Sequence, residues 1–319
     1  MNVVAGLPSV LHGVALCSSL DLMFHFDEAF QAHAPELSVL PPERIGDPDQ
    51  VSFALSWRPA PDAFTPYRNL RAVFSIGAGV DAILACPSLP DVPVIRVEDP
   101  DQAHQMAGFA AFHVLWHHRN MAAHIDAKNR RAWERVVGGQ SPKRKRIGVM
   151  GFGLMGRAIA EGLSALGYPV STLSRTPPSP PLIGMEHLTA DEMDLFLSQT
   201  DILINVLPLT PETEGILNRA CFEKLPRGAA LIQMGRGSHL IEEDLLAALD
   251  DGQLSGASLD VFSAEPLPAE NPLWSHPRIF MTPHIASTPE PAAVVRSVQN
   301  GLKELLGSAE KPAPAPAPR

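Results

Sequence analysis

The stretch from residue 146 to residue 176, RIGVMGFGLMGRAIAEGLSALGYPVSTLSRT, constrains the fold of this chain most strongly. An apolar run of strand length is followed by glycines in the spacing G-x-G-x-x-G, and apolar residues then recur at helical period. The residues of this turn are Gly151, Gly153, Leu154, Met155 and Gly156. Glycine allows a sharp turn and close approach to a pyrophosphate, and the helix N-terminus offers free N–H groups. Although such turns also occur for structural reasons alone, the strand before and the helix after it favour a dinucleotide site.

The next apolar segment, 169–173, ends in Ser174, Arg175 and Thr176. A site selective for NAD would place Asp or Glu there to bind the ribose 2′-hydroxyl. Two hydroxyls and a guanidinium suit a 2′-phosphate instead, so we predict NADP(H) as the preferred cofactor, with NAD(H) possible. The alternative is an ordinary polar loop before the proline-rich residues 177–181.

Length and charge exclude several classes of protein. At 319 residues the chain can form two domains, and its net charge of −10 argues against a nucleic-acid partner. No apolar run is long enough to span a membrane, and the N-terminus lacks the basic region of a secretory signal. Cys17, Cys86 and Cys221 have no metal-binding spacing. We therefore expect a cytoplasmic protein with buried free thiols.

Strand and helix patterns alternate along both halves of the chain, which predicts parallel sheets. After an irregular extension to about residue 11, the first half has a strand at 13–17, a helix through Phe24, Phe26, Ala29 and Phe30, and apolar segments at 51–57, 71–76 and 92–97. The second half adds strands at 201–206, 229–233, 256–261 and 279–282, a capping box at 189–192 that opens a helix, and a helix at 242–249. A last helix, 291–306, is expected to return to the first domain. The Pro-Ala repeat at 311–319 predicts an extended, disordered tail.

The longest helical pattern runs from Asp101 to about Arg130 and contains His113 and His117, with His118 and His124 nearby. A spacing of four residues can bind zinc, but the carboxylate of an H-E-x-x-H motif is absent. We interpret these histidines as packed or interfacial side chains and predict no metal site.

Three stretches after predicted strands carry an arginine, a carboxylate and a histidine: Arg236, Glu265 and His284. Hydride transfer to a ketone builds negative charge on its oxygen, so a proton donor and a fixed cation are needed there. His284 is the candidate acid, Glu265 would hydrogen-bond its imidazole, and Arg236 would bind a substrate carboxylate. Taken singly, the three could be a core histidine, a loop glutamate and a surface arginine; next to a dinucleotide turn, reduction of a 2-oxo acid is favoured.

The chain resembles the D-isomer-specific 2-hydroxyacid dehydrogenases, and most closely their glyoxylate/hydroxypyruvate reductase A branch. The resemblance spans nearly the whole chain. It rests on GAGVD (77–81), GFGLMG, SRT, NVLPLTPET (205–213), GRG, EEDLLAALDDGQLSGASLDVFSAEPLP (242–268) and NPLWSHPRIFMTPHIAS (271–287).

The resemblance implies two doubly wound parallel-sheet α/β domains, a Rossmann-type cofactor domain (103–287) inserted in a smaller flavodoxin-like substrate domain (1–102 and 288–319). It implies that the backbone amides of Ala78 and Gly79 bind the substrate carboxylate. It also implies that Trp57, in Trp57-Arg58-Pro59, closes the substrate pocket, although Trp57 could instead be a buried side chain with a structural role only. The residues it places along the cofactor are Leu207, Pro208, Thr213, Met234, Gly235, Asp260 and His284, in addition to those of the glycine turn and 174–176. A homodimer formed through the cofactor domain is also implied.

Two positions depart from the family pattern. Gln233 stands where the family usually has Asn or Asp, which puts the loop before Arg236 in question, and Arg58 stands where histidine is common. Arg58 could favour bulkier or more acidic substrates, or could face solvent.

The expected function is NADPH-dependent reduction of glyoxylate to glycolate and of hydroxypyruvate to D-glycerate. The alternatives are a dehydrogenase for a larger 2-oxo acid, such as phenylpyruvate, and a non-catalytic protein that senses nicotinamide cofactors.

Overall fold

The computed structural model describes residues 10–97, 99–135, 139, 141–178 and 184–309, with side chains as far as residue 305. The chain divides into two compact units, one up to Asp99 and from Pro289 onward, the other Pro100–Thr288. The domain limits given above stay a prediction. The Pro-Ala tail and residues 1–9 of the expected extension lie outside the described residues.

The first unit contains a parallel sheet in the order β2-β1-β3-β4-β5. Its strands are β1 (Leu11–Cys17), β2 (Leu37–Leu40), β3 (Val51–Trp57), β4 (Ala72–Ser75) and β5 (Val94–Ile95). The order reverses between β1 and β3, as in flavodoxin-like sheets. The expected fold class of this half is thereby confirmed.

Helices α1 (Leu22–His33) and α2 (Asp81–Leu84) and the C-terminal helix Pro291–Ala309 belong to this unit. Phe26 and Phe30 are buried in a cluster that also contains Val294 and Val298 of the C-terminal helix. Phe24 is 83% exposed, so the phenylalanines of α1 do not all lie on its buried face. The reason is geometric, because residues two apart on a helix point to nearly opposite sides, whereas residues four apart share a face.

The second unit contains a parallel sheet in the order β12-β11-β10-β9-β6-β7-β8. Its strands are β6 (Ile147–Met150), β7 (Val170–Ser174), β8 (Glu186–Thr189), β9 (Ile202–Asn205), β10 (Ala229–Gln233), β11 (Leu254–Leu259) and β12 (Ile279–Met281). The order reverses between β6 and β9, the switch point at which dinucleotides bind in Rossmann-type sheets. The doubly wound cofactor fold is confirmed.

The helices of the second unit are α3 (Pro100–His118), α4 (Met121–Asn129), α5 (Leu154–Ala165), α6 (Met193–Ser198), α7 (Arg219–Lys224) and α8 (Glu242–Asp250). The expected single helix from Asp101 to Arg130 is therefore wrong. Asn120 adopts a left-handed conformation with φ of 49°, which asparagine tolerates, and the helix breaks there. The capping box is confirmed, since the Glu192 carboxylate accepts from the backbone N–H of Thr189 at 2.9 Å. In the described part of the chain, no helix combines the length and apolar character needed to cross a membrane.

His113 and His117 are packed side chains on α3. His113 is 1% exposed and its ring lies against Phe109 and Phe280, at centroid distances of 4.5 and 5.2 Å. The Nε2 atom of His117 hydrogen-bonds the Ser258 hydroxyl at 2.9 Å. Among the described residues, no group of His, Cys, Asp and Glu is arranged to hold a metal ion. Cys86 and Cys221 are buried free thiols, whereas Cys17 is only partly buried.

We predict that acid destabilises the second unit through these two histidines. Burial lowers the pKa of His113 to about 4, and burial together with the charge of His113 lowers that of His117 to about 4. Between pH 6.5 and 4 the unfolded chain takes up protons that the folded chain does not, so stability is complete above the unfolded pKa and falls as the pH falls. The loss should be about 2 kcal/mol per histidine at most between pH 7 and pH 5, measured as the change in the free energy of urea unfolding.

His113→Phe should reduce this pH dependence, because phenylalanine cannot take up a proton in either state. The control is His104→Gln, an exposed histidine on the same helix, which should leave the pH dependence unchanged. An equal pH dependence in His113→Phe and wild type would contradict the assignment.

Candidate active site

The glycine turn after β6 leaves no room for a side chain at Gly151 or Gly156. Gly151 has φ of 102°, and a Cβ atom on Gly156 would lie 1.9 Å from the Gly151 carbonyl oxygen. Gly153 is the N-cap of α5, without a capping side chain among the described residues, and a Cβ atom there would meet nothing within 4 Å. Open space in front of uncapped N–H groups fits the pyrophosphate of a dinucleotide.

The segment that follows β7 presents polar groups to solvent. Arg175 and Thr176 are exposed, and the Ser174 hydroxyl donates to the Thr176 carbonyl at 2.8 Å. Beneath them, His187 of β8 approaches the Ser174 hydroxyl with its Nε2 atom at 3.3 Å. Sequence reasoning did not identify His187, because its strand carries no clear apolar pattern.

A loop after β9 contains Leu207, Pro208 and Thr213. The Thr213 hydroxyl donates to the Pro208 carbonyl at 2.7 Å and accepts from the Thr210 N–H at 2.8 Å, so it closes this loop. Hydrogen bonds from the Thr210 hydroxyl and from the backbone, and then the charge of Arg175, lower the pKa of Glu212. The charge of Arg175 therefore acts on this loop.

In the first unit, Trp57 and the turn after β4 come together. A Cβ atom on Gly77 would lie 3.3 Å from the Trp57 ring, and the Ser75 hydroxyl donates to the Gly79 carbonyl at 2.8 Å. Within the described residues, no backbone acceptor bonds the N–H groups of Ala78 and Gly79. Arg58 is half-buried with φ of 46°, and its carbonyl accepts from the Ser18 hydroxyl at 2.7 Å.

Glu265 and His284 meet beyond the carboxyl ends of β11 and β12. The Oε2 atom of Glu265 lies 2.9 Å from Nδ1 of His284, and Oε1 accepts from the Phe262 N–H at 3.0 Å. The carboxylate side chain is 15% exposed and the imidazole 33%, so the pair is largely shielded while the ring still reaches solvent. A carboxylate on Nδ1 holds the proton on that nitrogen and stabilises a charged imidazolium, which can then donate from Nε2.

Asp260 builds the turn that carries His284. It is 2% exposed, and its carboxylate accepts from the Thr282 hydroxyl at 2.7 Å and from the N–H groups of Ile285 and Ala286 at 2.9 and 3.0 Å. Burial raises its pKa, while these hydrogen bonds and the nearby His284 oppose the rise. His284 itself has φ of 56°, and its N–H donates to the Asp260 carbonyl at 2.8 Å. A left-handed histidine is a strained conformation that the surrounding bonds must hold.

The Arg236 turn, which follows β10, packs directly on the segment that leads to Glu265. A Cβ atom on Gly237 would lie 1.8 Å from the Phe262 carbonyl carbon, so only glycine permits this contact. The guanidinium of Arg236 donates from Nη1 to the Gly235 carbonyl at 2.8 Å. Met234 and Gly235 are buried in the turn, and Gln233, the departure from the family pattern, is fully buried with its amide bonded to the backbone of Gly235 and Arg236.

Comparison with known proteins identifies a family of similar sequence and structure. Residues 111–286 match the family model described as the NAD-binding domain of D-isomer-specific 2-hydroxyacid dehydrogenases. A D-isomer-specific 2-hydroxyacid dehydrogenase from Xanthobacter autotrophicus, solved with NADPH and MES, is 36% identical, with a TM-score of 0.87 over 96% of this chain and 97% of that one.

Two further structures are similar over most of their length. An NADPH-dependent glyoxylate/hydroxypyruvate reductase from Sinorhizobium meliloti, solved with NADP and sulfate, is 33% identical, with a TM-score of 0.87 over 93% of this chain and 95% of that one. A probable 2-hydroxyacid dehydrogenase from Rhizobium etli, solved with NADP, HEPES and L(+)-tartaric acid, is 33% identical, with a TM-score of 0.83 and the same coverage.

We predict that Asp260→Asn destabilises the His284 turn. An amide can replace one carboxylate oxygen, but its NH₂ group would then face a backbone N–H donor, which leaves a buried donor unsatisfied at a cost of about 1–3 kcal/mol. Hydrogen exchange should show faster exchange of the Ile285 and Ala286 amides. Asp194→Asn, which changes an exposed carboxylate of the same unit, is the control. Unchanged exchange in Asp260→Asn would show that the carboxylate does not hold the turn.

Proposed function

Because this chain belongs to the D-isomer-specific 2-hydroxyacid dehydrogenases, we propose that it reduces small 2-oxo acids with NADPH, glyoxylate to glycolate and hydroxypyruvate to D-glycerate. Its family and its structural neighbours are NAD(P)-dependent enzymes of this class. The observation that carries the proposal is the hydrogen bond between Glu265 and His284, on the same edge of the sheet as a glycine turn that fits a dinucleotide.

The proposed roles follow from the charge that develops during reduction. A reduced nicotinamide, when bound, supplies the hydride, and the carbonyl oxygen of the substrate becomes negative. His284 donates a proton to that oxygen, and Glu265 stabilises the charged imidazole before the transfer. Arg236 binds the substrate carboxylate through its planar pair of N–H donors. Substrate contacts by Trp57, Arg58, Ala78 and Gly79 stay predictions from the resemblance.

The proposed preference for NADPH rests on the segment after β7. Ser174 and Thr176 supply hydroxyls and Arg175 an exposed guanidinium, with no carboxylate among them to repel a phosphate. The similar enzymes from Xanthobacter autotrophicus and Sinorhizobium meliloti were solved with NADPH and NADP. A guanidinium and two hydroxyls are suited to bind a 2′-phosphate by charge-assisted hydrogen bonds.

The proposed homodimer is supported by apolar side chains on the surface of the second unit. Trp133 is 97% exposed, and the exposed side chains of α3 and α4 near it in sequence are Phe112, Leu115, Met121 and Ile125. Exposed tryptophan and other large exposed apolar side chains are typical of protein interfaces. The resemblance implies that a second copy of this chain packs against these side chains.

His284→Ala should lower turnover of glyoxylate by about 10²- to 10⁴-fold, because the general acid is lost, while NADPH binding is retained. Steady-state kinetics and fluorescence titration of NADPH would measure the two effects. His104→Gln should keep wild-type turnover. A small effect of His284→Ala at saturating substrate would remove His284 from the acid role.

Arg175→Ala should weaken NADPH binding about ten- to 10²-fold, the value of a charge-assisted hydrogen bond to phosphate, and leave NADH binding nearly unchanged. Isothermal titration with both cofactors tests this. The control is Arg219→Ala, which removes an exposed arginine of α7. Equal losses for the two cofactors would contradict a contact with the 2′-phosphate.

Trp133→Ala should raise the dissociation constant of the homodimer by about 30-fold or more, as for a tryptophan hot spot. Sedimentation equilibrium measures this constant. Trp274→Ala, at another exposed tryptophan of the same unit, should leave it unchanged. A wild-type chain that sediments as a monomer at all concentrations would refute the dimer.

A further inference from the structure

Three polar side chains to which the proposed mechanism assigns no role lie buried beneath the Arg236 turn. Asn205 ends β9, Gln233 ends β10 and His239 follows Arg236 by three residues, and each is 0% exposed. The Nδ2 atom of Asn205 donates to Oε1 of Gln233 at 2.8 Å and to Nδ1 of His239 at 2.9 Å. The three side chains therefore form one hydrogen-bonded network, which we call the 205–233–239 network.

One end of this network holds the peptide groups on both sides of Arg236. Gln233 donates from Nε2 to the Arg236 carbonyl at 2.8 Å and accepts from the Gly235 N–H at 3.2 Å. His239 accepts the Arg236 N–H on Nδ1 at 3.1 Å. Since the Gly235 carbonyl accepts from the guanidinium of Arg236, the orientation of that peptide also sets the direction of the side chain.

The other end of the network hydrogen-bonds the Leu207–Pro208 segment, which we assign to the cofactor site. The Oδ1 atom of Asn205 accepts from the Leu207 N–H at 3.3 Å. Because Nδ1 of His239 accepts two N–H groups, its proton lies on Nε2, which donates to the Pro208 carbonyl at 3.3 Å. The turn that carries Arg236 and the Leu207–Pro208 segment thus share the same buried groups.

The network and the turn have no space to move independently. A Cβ atom on Gly235 would lie 2.9 Å from both Nδ2 of Asn205 and Nδ1 of His239. The backbone of Gly235 therefore rests directly on the two side chains, and a shift of either would shift the turn.

We propose that Gln233 is a positioning residue that sets the guanidinium of Arg236 for the substrate carboxylate, and that Asn205 and His239 tie this turn to the Leu207–Pro208 segment. The inference rests on the proposed function, because that function gives Arg236 its role. The length of glutamine matters as well as its amide. Asparagine is shorter than glutamine by one carbon–carbon bond, about 1.5 Å. Its amide at position 233 could not reach both the Arg236 carbonyl and Asn205.

The test compares Gln233→Asn with Gln233→Glu by steady-state kinetics on glyoxylate and by NADPH titration. The first keeps the amide but loses reach, and the second keeps the length but loses the donor to the Arg236 carbonyl. Each should lower kcat/KM between about tenfold and 10²-fold, mainly through a higher KM, because the guanidinium is misplaced. NADPH binding should stay close to that of wild type. His239→Ala should weaken both glyoxylate and NADPH binding, since it removes bonds at both ends of the network.

Thr200→Val is the matched control for lost stability. Thr200 is buried before β9, at the opposite edge of the sheet, and its hydroxyl donates to the Phe196 carbonyl at 2.8 Å. The variant should lower the melting temperature without raising KM. A Gln233→Asn variant with wild-type KM, or one whose KM rises only as much as that of Thr200→Val at equal loss of stability, would overturn the inference.

Arg236→Lys separates this inference from the proposed function. If Arg236→Lys raises the KM for glyoxylate and both Gln233 variants do not, the role of Gln233 is wrong and the proposed function stands. If Arg236→Lys leaves KM unchanged, the assignment of Arg236 fails, and the inference about Gln233 fails with it.

Discussion

The carboxyl edge of the second sheet depends on backbone segments that lie too close together for any side chain between them. Gly156 rests on the Gly151 carbonyl, and Gly237 rests on the backbone of Phe262. The first contact brings the start of α5 against the end of β6, where a pyrophosphate can meet free N–H groups. The second brings the Arg236 turn against the segment that leads to Glu265. A methyl group at either position would separate elements that the proposed chemistry needs side by side.

Buried polar side chains hold the loops that these contacts bring together. Asp260 uses its carboxylate to hold the turn of His284, and the 205–233–239 network holds the turn of Arg236. A buried group of this kind is costly unless its partners are in place, so each loop has one strongly preferred arrangement. The side chains proposed to act on substrate thus lie on loops whose geometry is fixed by buried hydrogen bonds. Precise placement of this kind is what proton donation and carboxylate binding require.

The sequence predicts the alternation of strands and helices well, because buried parallel strands are near-continuous apolar runs. The limits predicted for β10 agree with the structure, whereas β2 and β8 were not identified, since both are short edge strands with few buried residues. The helix break at Asn120 was also missed, because the apolar pattern continues across it. Residue types at strand ends pointed to Glu265 and His284. Gln233 stood out in the sequence only as a departure from the family pattern. Its hydrogen bonds with Asn205 and the link to His239 could not be predicted, because these residues lie in different segments and only the fold brings them together.

The measurement that tests the central claim most directly follows the loss of nicotinamide absorbance with purified protein. NADPH and NADH would each be combined with glyoxylate, hydroxypyruvate, pyruvate and phenylpyruvate. We predict rapid reduction of glyoxylate and hydroxypyruvate that depends on NADPH, with D-glycerate as the product from hydroxypyruvate. Activity with phenylpyruvate alone, or tight cofactor binding without reduction of any of these acids, would contradict it.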